Sequence, residues 1–222
     1  MMQKYLKECF RRLSLLSALF LSLTFTAAAQ SGSAMSDSET DSFLKILSAR
    51  TSSVITMSAD FKQTKKMEML KKDMVSEGKF FFAKENKIAF LYEKPGRYSM
   101  VMSGSFIKMS TASGSSKMDL SANPVMKEMN GLISGVFTGT LDKMSANYNI
   151  DFQISGEDVL AIISPKSARI AGIISLIKIV FKKGTGDIKG IEVTEGSGSL
   201  TKYLFFNQKI NQPISNEIFN IN

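Results

Sequence analysis

Side chains that do covalent or metal chemistry are scarce in this chain. It has no histidine, no tryptophan and a single cysteine, Cys9. The usual nucleophilic triads and most transition-metal sites need His or Cys, so an enzyme is disfavoured. Carboxylates remain, but no acidic pair stands out, and no catalytic residue, metal ligand or cofactor is expected. What is plentiful is apolar: 16 phenylalanines and 14 methionines, 11 of the latter between Met57 and Met144. Methionine adapts to changing contacts and is over-used on surfaces that take variable apolar partners. A loosely evolved core would show the same excess. The chemistry open to these residues is to hold something apolar out of water.

The densest such stretch runs from Ser76 to Gly96. A strand sends successive side chains to opposite faces, so Phe80, Phe81 and Phe82 cannot share one core. A three-residue turn at Glu85-Asn86-Lys87 puts Phe80, Phe82, Ile88, Phe90 and Tyr92 on one face. A two-residue turn at Glu85-Asn86 would instead join Phe81 to Ile88 and Phe90, because register fixes every face.

The elements that hold these residues follow from periodicity. Lys4, Lys7, Arg11 and Arg12 precede an apolar run from Leu13 to Phe25, and Ala27-Ala28-Ala29 offers a cleavage site. This is the layout of a cleaved secretory signal peptide over residues 1–29. Cys9 would leave with it, so the mature chain has no thiol for a disulfide, metal or lipid anchor. Removing Lys4, Lys7, Glu8, Arg11 and Arg12 leaves 24 basic and 19 acidic residues, net +5. That charge is spread out, unlike the dense stripe of a nucleic-acid binder, so no nucleic-acid partner is expected. Lys62, Lys65, Lys66, Lys71 and Lys72 form the nearest cluster, read as a solvated strand face.

Residues 30–222 read as one domain. Gln30 to Met35 reads as a disordered polar leader, and Ser38 with Asp41 suggests a capping box for a helix over 37–50. Its apolar stripe is Phe43, Leu44, Ile46 and Leu47. Ile55 to Phe61 alternates as a strand, and strands follow at about 74–83, 88–93, 98–102 and 106–110. Asn123 and Pro124 start a second helix with Met126, Met129, Leu132, Ile133, Val136 and Phe137 on its apolar face. Gly131, Gly135 and Gly139 weaken it by roughly 1 kcal/mol each relative to Ala. It is a movable cover or an ordinary core helix. Five more strands read at about 148–154, 159–164, 176–182, 188–194 and 200–207, and residues 168–174 form a loop or short helix. The fold class is α+β, mainly β: a strongly curved antiparallel sheet packed on its helices. Its interior is either filled with side chains or left as an apolar hollow, and the abundance of methionine and phenylalanine favours the hollow.

Several short motifs resemble LolA-type periplasmic lipoprotein carriers. They are Ala59-Asp60-Phe61-Lys62-Gln63, Ser76-x-Gly78-x-Phe80, and Ile88-Ala89-Phe90-Leu91-Tyr92-x-x-Pro95. Ser103-Gly104-Ser105-Phe106-Ile107, Tyr203-x-Phe205-x-Asn207, Asn211 and Phe219 are similar to the family's later turn and closing pattern. The spacing agrees over most of residues 37–220. The resemblance implies a half-barrel closed by a helical lid around an apolar cavity. It implies a periplasmic monomer that shields lipoprotein acyl chains between the inner and outer membranes. The cargo comes from an inner-membrane lipoprotein-releasing ABC transporter and passes to an outer-membrane acceptor. It favours the three-residue turn, with Phe81 on the outer face. The cavity set is then Phe61, Phe80, Phe82, Ile88, Phe90, Tyr92, Met100 and Met102. The lid set is Met126, Met129, Leu132, Ile133 and Val136. Where better-studied members have a lid-latching arginine, this chain has Lys84, a point charge without a planar fork. A solvated hairpin lysine is the plainer reading of it. A lipid- or envelope-stress-sensing module on the same scaffold is the alternative function, and a lipid-acting enzyme a third.

Overall fold

A computed structural model describes residues 32–67, 72–122 and 124–221, with backbone alone at 124–126, 129, 133, 142 and 143. The signal peptide assigned to residues 1–29, the cap Asn123 and Lys71 lie outside the described residues.

Among the described residues twelve strands form a single antiparallel sheet. They are β1 (Ser33–Ala34), β2 (Thr56–Lys66), β3 (Met74–Ala83), β4 (Lys87–Lys94), β5 (Tyr98–Ser103) and β6 (Phe106–Thr111). Then come β7 (Gly114–Asp119), β8 (Tyr148–Ser155), β9 (Asp158–Pro165), β10 (Ile174–Lys182), β11 (Ile188–Glu195) and β12 (Leu200–Ile210). Strands β2 to β7 make one meander and β8 to β12 another, each pairing in chain order. The two are sewn together where β12 returns beside β2, with Phe205 opposite Phe61 and Tyr203 opposite Gln63.

Two of the twelve strands depart from the sequence reading. The polar leader does not stay apart: Ser33 and Ala34 pair with Ile154 and Gln153, and Met35 packs on the core. Backbone bonding needs no side-chain pattern, so two residues beside an open edge suffice. Strand β7 pairs with β6 although all six of its residues are exposed.

Helix α1 (Asp37–Ser53) begins where expected and runs three residues further, but its cap lies two residues before the expected one. Ser36 and Glu39 form the capping box, with the Ser36 amide donating to Glu39 Oε2 at 2.9 Å. Ser36 wins over Ser38 because its backbone is extended and its partner is a longer glutamate. Phe43 and Leu47 are buried, whereas Ile46 is exposed, so the stripe is narrower than its sequence suggests. Arg50 pins the helix to the β10–β11 turn through Asp187 at 2.6 Å. Helix α2 (Pro124–Thr138) starts at the expected proline, and α3 (Ala168–Ala171) is the short helix before β10.

The turn between β3 and β4 lies one residue earlier than expected, at Lys84-Glu85-Asn86, with Ala83 opposite Lys87. Glu85 and Asn86 take the left-handed backbone that this tight loop requires. Pairing therefore shifts by an even number, and no side chain changes face. Phe80, Phe82, Ile88, Phe90 and Tyr92 all enter the main core, while Phe81 turns to the other face. There it meets Ala89, Val101 and Phe219 of the C-terminal segment.

Candidate functional site

The sheet must curve strongly to build its interior. In the strand order β6 and β10 stand seven places apart, roughly 34 Å on a flat sheet at ~4.8 Å per strand. Yet Ile107 of β6 and Ile174 of β10 line the same apolar hollow, whose volume is about 200 Å³. One wall comes from Ile88 and Phe90 of β4 with Met100 and Met102 of β5. The facing wall is Ile177 of β10, Ile191 and Val193 of β11, and Tyr203 of β12. Leu132, Val136 and Phe137 of α2 complete the lining.

Four of the eight residues assigned to a cavity thus line this hollow: Ile88, Phe90, Met100 and Met102. The other four, Phe61, Phe80, Phe82 and Tyr92, are buried in the packed core beside it. Phe80 lies with its ring centroid 4.9 Å from Phe90, 5.0 Å from Phe205 and 5.0 Å from Phe137 of α2. Phe61 packs edge-on against Phe90 at 5.3 Å and Tyr92 at 5.0 Å. Phe82 stacks on Phe137 at 5.9 Å. These rings are the foundation of the wall, and Phe137 is where the helix rests on it. Of the five residues assigned to the helix, Leu132 and Val136 line the hollow. The side chains of Met126, Met129 and Ile133 lie outside the described residues.

Sequence reading passed over Ile107 and the wall from β10 and β11. Strand β10 reads Ile-Ser-Leu-Ile-Lys-Ile-Val-Phe-Lys, with apolar residues on both faces, so its inner face is hard to see. The alternation Ile191, Val193 was the available signal, matched across the ladder by Tyr203 opposite Ile191.

The latch expectation also meets a different geometry. Lys84 Nζ donates to the Ser52 carbonyl at 2.9 Å, in the last turn of α1 and not on α2. The physical reason is local. The early turn leaves Lys84 beside a helix C-terminus, whose free carbonyls carry partial negative charge. From α2, Asn130 donates to the Gly104 carbonyl in the β5–β6 turn at 3.1 Å.

Among the described residues lining the hollow, Tyr203 carries the polar side-chain group, and it belongs to a small cluster. Tyr92 donates to Gln63 Oε1 at 2.7 Å, and the Tyr92 and Tyr203 hydroxyls stand 3.5 Å apart. Desolvation pushes both phenols above their ordinary range, so they stay protonated. The lysines expected on a solvated face are partly paired: Lys65 bonds Glu195 at 2.8 Å and Lys66 lies 3.9 Å from Asp73.

A single curved antiparallel sheet around an apolar interior, with one helix resting on its open side, defines the class. The chain belongs to the family described as outer membrane lipoprotein carrier protein LolA, whose model matches residues 52–222. No curated protein matches it. Among solved structures, a LolA superfamily protein from Nitrosomonas europaea is similar at 8% identity and a TM-score of 0.42. That match covers 80% of this chain and 97% of the other. A putative outer membrane lipoprotein-sorting protein domain from Vibrio parahaemolyticus is similar at 8% identity and a TM-score of 0.45, covering 81% and 97%. The lipoprotein LppX of Mycobacterium tuberculosis is 12% identical with a TM-score of 0.46, covering 81% and 99%. Among the described residues no helix is long and apolar enough to cross a membrane.

Proposed function

We propose that the protein is a soluble periplasmic carrier that shields lipoprotein acyl chains and moves them from the inner to the outer membrane. Residues 1–29 act as its cleaved export signal. The observation that carries this reading is the hollow itself, lined by aliphatic, methionine and aromatic side chains from both arms of the sheet. Each methylene taken from water contributes roughly 0.8 kcal/mol, so an acylated protein needs such shelter to leave a membrane. No catalytic step is involved. At about 200 Å³ the hollow is below the ~300–1,000 Å³ of ordinary ligand sites. An acyl chain therefore enters only as α2 lifts from Phe80 and Phe82, which makes α2 a lid. An inner-membrane ABC transporter supplies the cargo, and an outer-membrane acceptor receives it.

The test is cargo capture. The purified protein, incubated with membranes bearing a triacylated lipoprotein, is expected to release it as a soluble one-to-one complex. Failure with both triacylated and diacylated cargo, alongside binding of a free lipid, would replace transport with lipid sensing.

A further inference from the structure

Among the described residues that line the hollow only Tyr203 carries a hydroxyl, and its hydrogen bonding is incomplete. Tyr92 spends its proton on Gln63 at 2.7 Å. The contact between the two hydroxyls must then be donated by Tyr203, across 3.5 Å. A good O–H···O bond measures about 2.7–2.8 Å, so Tyr203 keeps most of its donor strength for another acceptor.

The position of that donor matters as much. Tyr92, the neighbour of Tyr203 in this cluster, also lines an open groove of about 790 Å³ with Tyr98, Lys94 and Arg97. The Tyr92 and Tyr98 rings stack at 4.0 Å along it. The cluster thus stands between the apolar hollow on one side and a polar, open groove on the other. A ligand spanning both must change from apolar to polar beside Tyr203. A neutral carbonyl suits that point, since it accepts a hydrogen bond and carries no charge to desolvate.

We propose that the Tyr203 hydroxyl binds the carbonyl oxygen at the head of an acyl chain, ester or amide, with the tail in the hollow and the headgroup in the Tyr92–Tyr98 groove. This rests on the carrier reading.

The experiment compares methyl palmitate with hexadecane as competitors for a fluorescent apolar probe bound to the purified protein. Tyr203→Phe keeps the ring and its packing, and its melting temperature confirms the fold. It is expected to weaken ester binding about fivefold relative to alkane binding, the size of one neutral hydrogen bond. Tyr92→Phe removes the stretched acceptor and is expected to strengthen ester binding. Equal effects of Tyr203→Phe on both competitors, or none on either, would overturn the assignment, as would ester binding weakened by Tyr92→Phe. If the unsubstituted protein binds neither competitor, the carrier reading falls and the subsite with it.

Discussion

Phe80 and Phe81 are neighbours in sequence and belong to different parts of the molecule. Phe80 is fully buried among Phe90, Phe137 and Phe205, whereas Phe81 is half-buried under the C-terminal segment. Phe80→Ala leaves a hole that rigid neighbours cannot close, and is expected to cost about 3–5 kcal/mol in denaturant unfolding. Phe81→Ala should cost well under half of that, and the reverse order would mean the strand is registered on the wrong face. Alternation put Phe80 and Phe81 on opposite faces, the family resemblance chose which face is inner, and the even register error left both faces intact. Lys84 was not legible, since its partner Ser52 is brought to it only by the folded chain. A second residue-scale prediction concerns acid. Hydrogen bonds from Lys79 and Asn207 hold the Asp60 carboxyl below its ordinary 3.8. Its stabilising contribution is therefore complete above pH 3.8 and lost as pH falls through the lower folded value. Asp60→Asn should flatten the acid side of the stability curve, as read by melting temperature between pH 5 and about pH 2, and leave its slope near neutrality unchanged.

At the scale of elements, strands with an alternating pattern or firm turns at their ends were visible, and those without either were not. Strand β7 reads Gly-Ser-Ser-Lys-Met-Asp and has no buried face to alternate against; its pairing rests on the backbone ladder with β6. Helix α2 told the opposite story, with apolar residues in excess from Leu132 to Phe137 and glycines at 131 and 135 that argue against a stiff helix. Gly131 separates these effects, because it is exposed and a methyl group there meets nothing within 4 Å. Gly131→Ala should stabilise α2 by about 1 kcal/mol through backbone propensity alone. If lifting α2 admits cargo by partly unwinding it, the variant melts higher and loads acyl cargo more slowly, measured by stopped-flow fluorescence. Unchanged loading would mean that α2 moves as a rigid body. Gly139 offers no such freedom: its backbone is left-handed and a methyl group would strike Thr51 of α1.

For the whole molecule, the question is whether its interior is a core with a packing fault or a space kept for a guest. Both arms of the sheet bend toward one another, and α2 rests on Phe80 and Phe82, yet about 200 Å³ stays unfilled. The curvature was implied by ten readable strands, and a hollow was favoured by the methionines and phenylalanines and by the family resemblance, but half of its wall was not legible, because the lining depends on which side chains from distant strands come to face one another. Val193 tests it from the β11 wall. In a packed core, enlarging a valine to phenylalanine forces strained rotamers and costs about 1–3 kcal/mol. Facing a hollow, the new ring gains contacts and displaces nothing. Val193→Phe is therefore expected to melt at or above the temperature of the unsubstituted protein while losing at least tenfold in acyl-chain affinity. A variant that is destabilised and still binds would make the space an accident of packing. A variant that is stable and no longer binds would make it the reason for the fold.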